Sequence, residues 1–259
     1  MIFESHAHYD DDAFAEDRDV LLSSMKENGI EYIVNVSSDI ASVNTTLLLA
    51  EKYDFVYAAV GIHPSDTQGL NEEIFAWLKE QACREKVVAI GEIGLDYHWK
   101  EPEPDYQKKW FIRQLQMAGE LKKPVIIHSR DAAADTLSIL RDSENHLALP
   151  DLKGVIHCYS YSKEMAKTFL NLGWYFGIGG VITFANAKKL VETVEYLPLE
   201  SILLETDCPY LSPQGKRGQR NDPSNIPLIA QYVADYLNLP PDEVAEKTTR
   251  NTKSLYGLM

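Results

Sequence analysis

The chain has 259 residues, and its 25 basic against 39 acidic side chains give a formal net charge of −14. An apolar content of 45% is typical of a globular protein with a large core and excludes a disordered chain. The acidic balance argues against a protein that coats duplex DNA by charge alone, but it is compatible with a nuclease whose metal ions supply local positive charge.

The sequence also indicates a cellular compartment. No stretch approaches the run of about 18 apolar residues that a membrane span needs, so we expect no membrane association. Met1–Glu4 shows neither the basic region nor the apolar region of a signal peptide. Cys83, Cys158 and Cys208 are too few and too far apart for a disulfide framework. We therefore expect a cytoplasmic protein.

Eight apolar runs rich in β-branched and aromatic residues follow one another along the chain and predict strands. Their near-continuous apolarity is typical of strands buried on both faces, as in a parallel sheet. The runs are Ile2–His8, Tyr32–Val36, Phe55–Ile62, Val87–Ile93, Val125–His128, Gly154–His157, Trp174–Ile178 and Ser201–Glu205.

Segments with helical periodicity separate these strands, as in Phe111, Leu115 and Ala118, which share one helical face. Eight strand–helix repeats predict a parallel sheet with right-handed crossovers, closed into a (β/α)8 TIM barrel that forms a single domain over residues 1–259. An open, doubly wound sheet is the alternative. Such a sheet normally carries a glycine-rich phosphate turn after its first strand, where His6-Ala7-His8-Tyr9 stands here.

Polar residues with metal-binding side chains follow these predicted strands. The carboxyl ends of barrel strands meet at one end of the barrel, so residues there converge. His6 and His8 share one face of a strand because they are two residues apart. The candidate ligands are His6, His8, Glu92, His128, His157 and Asp207, with His63 close to them.

Six candidate ligands are too many for one catalytic ion and suit two ions about 3.5–4 Å apart. Glu92, on a middle strand, is the expected bridge between them. Nitrogen and oxygen ligands suit Zn²⁺, Mn²⁺, Mg²⁺ or Fe²⁺ and do not choose among them. We expect Mg²⁺ or Mn²⁺, with Zn²⁺ or Fe²⁺ as alternatives.

The roles of two of these residues stay open on the sequence alone. Three roles are open for Asp207: metal ligand, general base for a water molecule, or both. A helix N-cap or turn aspartate is the alternative, since Pro209 follows closely. For His63, a hydrogen bond to a ligand or a contact with substrate is expected rather than metal ligation.

Six segments carry these residues, in this order: Ser5-His6-Ala7-His8-Tyr9-Asp10, Gly61-Ile62-His63-Pro64, Gly91-Glu92-Ile93-Gly94-Leu95-Asp96-Tyr97, Pro124-Val125-Ile126-Ile127-His128-Ser129-Arg130, His157-Cys158-Tyr159-Ser160 and Glu205-Thr206-Asp207-Cys208-Pro209-Tyr210-Leu211. Together they resemble the motifs of TatD-type metal-dependent deoxyribonucleases, which belong to the amidohydrolase superfamily of barrels. The resemblance covers nearly the whole chain. It implies one metal held by His6, His8, Glu92 and Asp207, and another held by Glu92, His128 and His157.

The resemblance also implies an activity. Members of this family hydrolyse phosphodiesters, usually as 3′→5′ exonucleases on single-stranded DNA and sometimes on RNA. Glu92 and Asp207 are then the expected catalytic residues, and a monomer is the expected state. The chain departs from the family pattern at Glu4, where aspartate is usual, and at Tyr161, where glycine is usual.

A phosphodiester substrate needs cationic contacts besides the metal ions. Arg130 lies two residues after His128 and is expected at the site, although a surface arginine is the alternative. Lys216, Arg217 and Arg220 fall in an acid-free stretch after the eighth strand, where barrels often bind phosphate. An ordinary solvated loop is the alternative for this stretch.

Tyr97, Trp99 and Tyr210 follow strands and are candidates for stacking on bases. Tyr97, after strand four, is counted among the expected substrate contacts. Two other functions compete with the nuclease: hydrolysis of a small ester, lactone or amide by the same barrel, and a catalytically silent barrel that only binds a metal or a partner.

Overall fold

All eight predicted strands are present in this computed structural model, which describes residues 1–145, 149 and 151–258. Their bounds differ from the predicted ones by a few residues at most, and the fourth strand extends to Asp96. The strands are β1 (Ile2–Ala7), β2 (Ile30–Val36), β3 (Val56–Val60), β4 (Val87–Asp96), β5 (Val125–Arg130), β6 (Gly154–Ile156), β7 (Tyr175–Ile178) and β8 (Ile202–Leu204).

Helices separate the strands, and their ends follow local sequence signals. Asp39 and Ser42 form a reciprocal capping box at the start of the second helix, and Gly257 ends the last helix in a left-handed conformation. Within the described ranges the helices are α1 (Arg18–Ser23), α2 (Ile40–Lys52), α3 (Glu72–Ala82), α4 (Pro104–Leu121), α5 (Ala133–Asn145), α6 (Lys163–Asn171), α7 (Lys188–Val194), α8 (Ile226–Leu237) and α9 (Pro241–Tyr256).

The chain forms two compact units. The first unit contains residues 1–35 and 158–259, with β1 parallel to β2 and β7 parallel to β8. In it, the Asp207 amide donates a hydrogen bond to the His6 carbonyl at 3.1 Å, and the His8 amide donates one to the Cys208 carbonyl at 2.9 Å. The loop after β8 is therefore fixed to the end of β1.

The second unit contains residues 36–157, in which β3, β4, β5 and β6 pair in parallel with their neighbours. All ten residues of β4 are buried, as are all six of β1 in the first unit. This burial confirms the prediction from apolar runs, because a parallel strand covered on both faces has no solvent-facing alternation.

The fold class follows from the strand order. Each strand neighbours the strand before it along the chain, in the order β1 to β8, and helices alternate with strands. A doubly wound sheet reverses its strand order at a switch point, and this sheet does not. The chain therefore has the predicted (β/α)8 TIM-barrel fold. The assignment of residues 1–259 to a single domain stays a prediction.

None of the helices in the described part of the chain combines the length and the apolar character needed to cross a bilayer.

Candidate metal centre and substrate contacts

Two histidines and an aspartate form the ligand group of the first unit. The Nε2 atoms of His6 and His8 lie 3.0 Å apart. The Asp207 carboxylate Oδ1 is 3.4 Å from His8 Nε2 and 3.6 Å from His6 Nε2. Both histidines are buried, and the Asp207 side chain is 14% exposed. One carboxylate and two imidazoles thus present their polar atoms to one another with little contact with water.

These separations suit a shared cation. Metal–nitrogen and metal–oxygen bonds of about 2.1 Å place neighbouring ligand atoms about 3.0 Å apart in an octahedron and about 3.4 Å apart in a tetrahedron. The observed distances of 3.0, 3.4 and 3.6 Å lie close to both values. These three side chains offer only nitrogen and oxygen donors, and the group fits a divalent ion.

Local backbone conformation positions the Asp207 carboxylate. Asp207 has φ of +57°, in the left-handed region that aspartate adopts more readily than most residues. The Tyr210 amide donates a hydrogen bond to the Asp207 carbonyl at 2.9 Å. The Asn221 side-chain amide donates to the carbonyls of Thr206 and Tyr210 at 2.9 and 2.7 Å. Asp207 thus begins a hydrogen-bonded turn, as the turn alternative expects, and its carboxylate nevertheless lies within 3.6 Å of both histidines.

Two further carboxyl groups lie two residues before His6 and Asp207 along the chain, one on β1 and the other directly after β8. Glu4 and Glu205 are both fully buried. Burial raises the pKa of Glu4 to about 8, against the opposing effect of the hydrogen bond that its carboxyl group accepts from the Thr206 amide at 2.8 Å. The nearby charge of Glu205 raises it further. Glu205 accepts a hydrogen bond from the Cys158 amide at 2.6 Å.

The second unit carries its own ligand group around Glu92. Glu92 Oε1 lies 2.7 Å from His128 Nδ1, 3.7 Å from His157 Nε2 and 4.0 Å from His63 Nε2. Ligand atoms of His63, Glu92 and His128 all lie within 4.8 Å of one another. The buried Glu92 carboxylate is therefore surrounded by imidazoles, which fits a carboxylate with more than one coordination partner.

His63 has a different hydrogen-bonding state from the other histidines. Its Nδ1 accepts a hydrogen bond from the Ser65 amide at 3.2 Å, at the start of a short helical turn, Pro64–Gly69. Neutral imidazole has one donor and one acceptor nitrogen, so the proton lies on Nε2, the atom that faces Glu92. Its Nε2–H is then available as a hydrogen-bond donor, and the predicted role of His63 as a hydrogen-bonding rather than a metal-binding residue stays a prediction.

Asp96 is a functional candidate that the sequence analysis missed. Its Oδ2 lies 3.2 Å from His128 Nε2, so both ring nitrogens of His128 face carboxylates. Burial would lower the pKa of His128, but the hydrogen bonds to Asp96 and Glu92 outweigh it and raise this pKa. A histidine that binds a metal through one nitrogen commonly donates its other N–H to a carboxylate, the arrangement that Asp96 provides.

The helix α4 fixes the backbone at two of these positions through buried glutamines. Gln107 exchanges two hydrogen bonds of 2.8 Å with the Asp96 backbone, and Gln114 exchanges bonds of 2.8 and 3.1 Å with Ile62, the residue before His63. The glutamines are seven residues apart, so they lie on the same helical face. Gly94 permits β4 and β5 to approach closely, because a Cβ there would lie 1.9 Å from the His128 carbonyl oxygen.

The four predicted phosphate contacts differ in their surroundings. Arg130 ends β5 with an exposed side chain, and no ion pair in the described ranges involves its guanidinium. Arg217 is exposed and lies 4.8 Å over the Phe184 ring, while Lys216 donates a hydrogen bond to Asn225 at 2.6 Å. Arg220 is bound to both carboxylate oxygens of Asp17, at 2.7 and 2.6 Å.

The Tyr97 side chain is hydrogen-bonded within the protein. Its hydroxyl donates a hydrogen bond to Asp135 at 2.8 Å, and Lys108 pairs with the same carboxylate at 2.8 Å. Burial and this hydrogen bond raise the pKa of Tyr97. Trp99 and Tyr210, by contrast, are 58% and 54% exposed.

Comparison with known proteins places the chain among metal-dependent hydrolases. It matches the family model "TatD related DNase" over residues 3–257. It is 40% identical over 258 residues to YabD of Bacillus subtilis strain 168, an uncharacterized metal-dependent hydrolase, and the match covers 100% of both chains.

Two solved structures are similar throughout. The crystal structure of YjjV, a TatD homologue from Escherichia coli K12, has a TM-score of 0.93 at 31% identity and covers 100% of this chain and 98% of that chain. A hydrolase of the TatD family from Entamoeba histolytica has a TM-score of 0.88 at 25% identity, with 100% and 98% covered.

The fold, the imidazole–carboxylate groups and these relatives define a metal-dependent hydrolase built on a (β/α)8 barrel. The chain belongs to the TatD-related DNase family. This confirms the resemblance inferred from its six motifs, and it does not support the catalytically silent alternative.

Proposed function

We propose that this hydrolase cleaves phosphodiester bonds of single-stranded DNA, and of RNA as well, removing nucleotides from the 3′ end. One observation carries the proposal: a chain that matches the TatD-related DNase model almost end to end has imidazole–carboxylate groups whose geometry could hold metal ions. His6, His8 and Asp207 hold one divalent ion, and Glu92, His128 and His157 hold the other. Glu92 is proposed to bridge the two ions.

The chemistry divides between the ions and the side chains. Divalent ions bound at these groups supply Lewis acidity and lower the pKa of water. The Asp207 carboxylate, 14% exposed, accepts the proton of the attacking water. The Nε2–H of His63 donates a hydrogen bond to an oxygen of the substrate. Asp96 fixes the orientation of the His128 ring.

Arg130, Lys216 and Arg217 are proposed to hold the phosphate backbone. Arg130 supports this best, because its guanidinium is exposed two residues after His128. The same role was predicted for Arg220 and Tyr97, and it stays a prediction. To contact a phosphate, these side chains would have to give up hydrogen bonds to Asp17 and Asp135, respectively.

Hydrolysis of a small ester or lactone is the second candidate function. It is favoured by the pairing of Arg220 with Asp17, which removes one cation from the predicted phosphate contacts of a chain with net charge −14. The metal chemistry is the same for both candidates, so only the substrate separates them.

The test compares three substrates with one preparation. Protein stripped of metal, and shown to be metal-free by elemental analysis, is assayed with Mg²⁺ or Mn²⁺ against a single-stranded oligonucleotide, bis-p-nitrophenyl phosphate and a lactone. Label at the 5′ or the 3′ end of the oligonucleotide reports the direction of cleavage. The variant His8→Ala serves as the control for contaminating nucleases.

We expect wild type to cleave the oligonucleotide. A chelator should abolish this cleavage, Mg²⁺ or Mn²⁺ should restore it, and the His8→Ala variant should lack it. The melting temperature should fall when metal is removed, since an ion that binds only the native state stabilises it. Lactone hydrolysis without oligonucleotide cleavage would establish the second candidate instead. Full activity of the metal-free protein would contradict both.

A further inference from the structure

An exposed aromatic ring lies next to the ligand group of the first unit. Tyr210 is 54% exposed, and its ring centroid is 6.2 Å from that of His8, with the ring planes at 64°. Leu211, the next residue, is 39% exposed. Single exposed apolar side chains are common, but two adjacent ones beside a proposed metal ligand form an exposed patch that a ligand can cover.

The ring is held in place rather than free to rotate. Its hydroxyl donates a hydrogen bond to Asp11 Oδ2 at 2.6 Å, and the other oxygen of that carboxylate accepts one from the Ala13 amide at 2.7 Å. The Tyr210 backbone is bound to Asp207 and Asn221. A ring fixed at its hydroxyl and at its backbone loses little entropy when a ligand covers it.

The backbone of the same loop is constrained. Leu211 has φ of +53°, a conformation that is costly for a residue with a branched side chain. Its carbonyl oxygen lies 2.3 Å from the position that a Cβ on Gly180 would occupy, so this approach requires glycine there. The loop thus holds Tyr210 and Leu211 outward at the expense of local strain, as is common at ligand-binding sites.

We propose that the Tyr210 ring is a stacking platform for the nucleobase of the nucleotide whose phosphodiester is cleaved. The inference rests on the proposed nuclease function and names the part of the substrate that this surface recognises. Stacking on an aromatic ring tolerates every base, which suits an enzyme that degrades single strands without reading their sequence. Tyr97 is less suited to this role because its hydroxyl is bound to Asp135 and its ring is half-buried.

The experiment removes the ring and the base separately. Wild type, Tyr210→Ala and Tyr210→Phe are assayed on an oligonucleotide with a normal 3′-terminal nucleotide and on the same oligonucleotide with an abasic 3′ terminus. Tyr196→Ala is the matched control, because Tyr196 is 41% exposed but precedes β8, whereas Tyr210 follows it. Quenching of 2-aminopurine at the 3′ terminus, measured with metal-free protein, reports stacking without cleavage.

We expect Tyr210→Ala to lower kcat/KM for the normal substrate by roughly 5- to 150-fold, the range of base–aromatic stacking. The abasic substrate should be affected much less, and Tyr210→Phe should keep most of the activity and the quenching. An equal loss on both substrates would show a merely structural role and overturn the platform. If wild type cleaves the normal oligonucleotide and Tyr210→Ala changes nothing, the platform alone fails. If wild type cleaves no oligonucleotide, the nuclease proposal fails with it.

Discussion

Glu4 gives the metal-free protein a pH-dependent stability. Burial raises the pKa of this carboxyl group from 4.5 to about 8 in the folded chain, so the folded state keeps its proton over a range in which the unfolded state loses it. Well below pH 4.5, Glu4 is protonated in both states. As the pH rises from 4.5 to 8, only the unfolded state releases the proton, and folding stability falls. Well above pH 8, both states are ionised and this loss of stability is complete.

The size of the effect follows from the two pKa values. At about 1.4 kcal/mol per pKa unit, the difference corresponds to about 5 kcal/mol. That is as large as the whole stability of a weakly stable domain. The substitution Glu4→Gln imitates the protonated carboxyl group, and its side-chain oxygen still accepts the hydrogen bond from the Thr206 amide. The variant should therefore lack the fall in folding stability that wild type shows between pH 4.5 and 8.

The assay is urea unfolding at pH 5, 6, 7 and 8 in the presence of chelator, followed by circular dichroism. The free energy of unfolding of Glu4→Gln should exceed that of wild type by a margin that grows with pH. The variant Glu73→Gln makes the same chemical change at an exposed position and serves as the control. Parallel pH profiles for wild type and Glu4→Gln would refute the reasoning, because they would show that Glu4 ionises alike in both states.

Two further predictions concern catalysis and the basic loop. If Glu92 bridges two ions, Glu92→Gln should lower kcat about a thousandfold or more, and His63→Ala should lower kcat less if His63 donates a hydrogen bond, as proposed, and binds no ion. Steady-state kinetics on bis-p-nitrophenyl phosphate measure kcat for both variants. A larger loss of kcat for His63→Ala than for Glu92→Gln would reject the ligand assignment. Arg217→Ala should flatten the slope of log Kobs against log[salt] for a single strand by about 0.7 if Arg217 contacts one phosphate. Arg220→Ala should lower Tm instead, since Arg220 is bound to Asp17; a larger change of slope for Arg220→Ala would refute this division of roles.

The sequence was sufficient to predict the fold, and it singled out imidazole and carboxylate side chains that the structure brings close together. Apolar runs such as Val87–Ile93 predict strands buried on both faces, because a strand without polar alternation has no face suited to water. The spacing of His6 and His8 predicts a shared strand face in the same way. Both inferences use only the local pattern of the sequence. The structure confirms the strands, and the Nε2 atoms of the two histidines lie 3.0 Å apart.

The pairing of the cations could not be predicted from the sequence, because it depends on residues far apart along the chain. Arg220 and Asp17 are separated by 203 positions, and nothing in the local pattern of either residue signals the other. The same is true of Tyr97 and Asp135. An exposed charge in a loop has the same sequence signature whether it faces solvent, a phosphate or a carboxylate.

Asp96 differs from those cases, because a signal for it was present. Asp96 follows Glu92 by four positions, and in a strand that spacing places both side chains on one face. The predicted strand ended at Ile93 because apolar content falls there, yet parallel pairing continues to Asp96 opposite Arg130. The Gln107 side chain on α4 satisfies both the N–H and the carbonyl of Asp96, so burial of this residue leaves neither group unpaired. A polar residue at even spacing from a proposed ligand should therefore be tested as part of the site even where the apolar run has ended, since a helix glutamine can supply the hydrogen bonds that keep the strand buried.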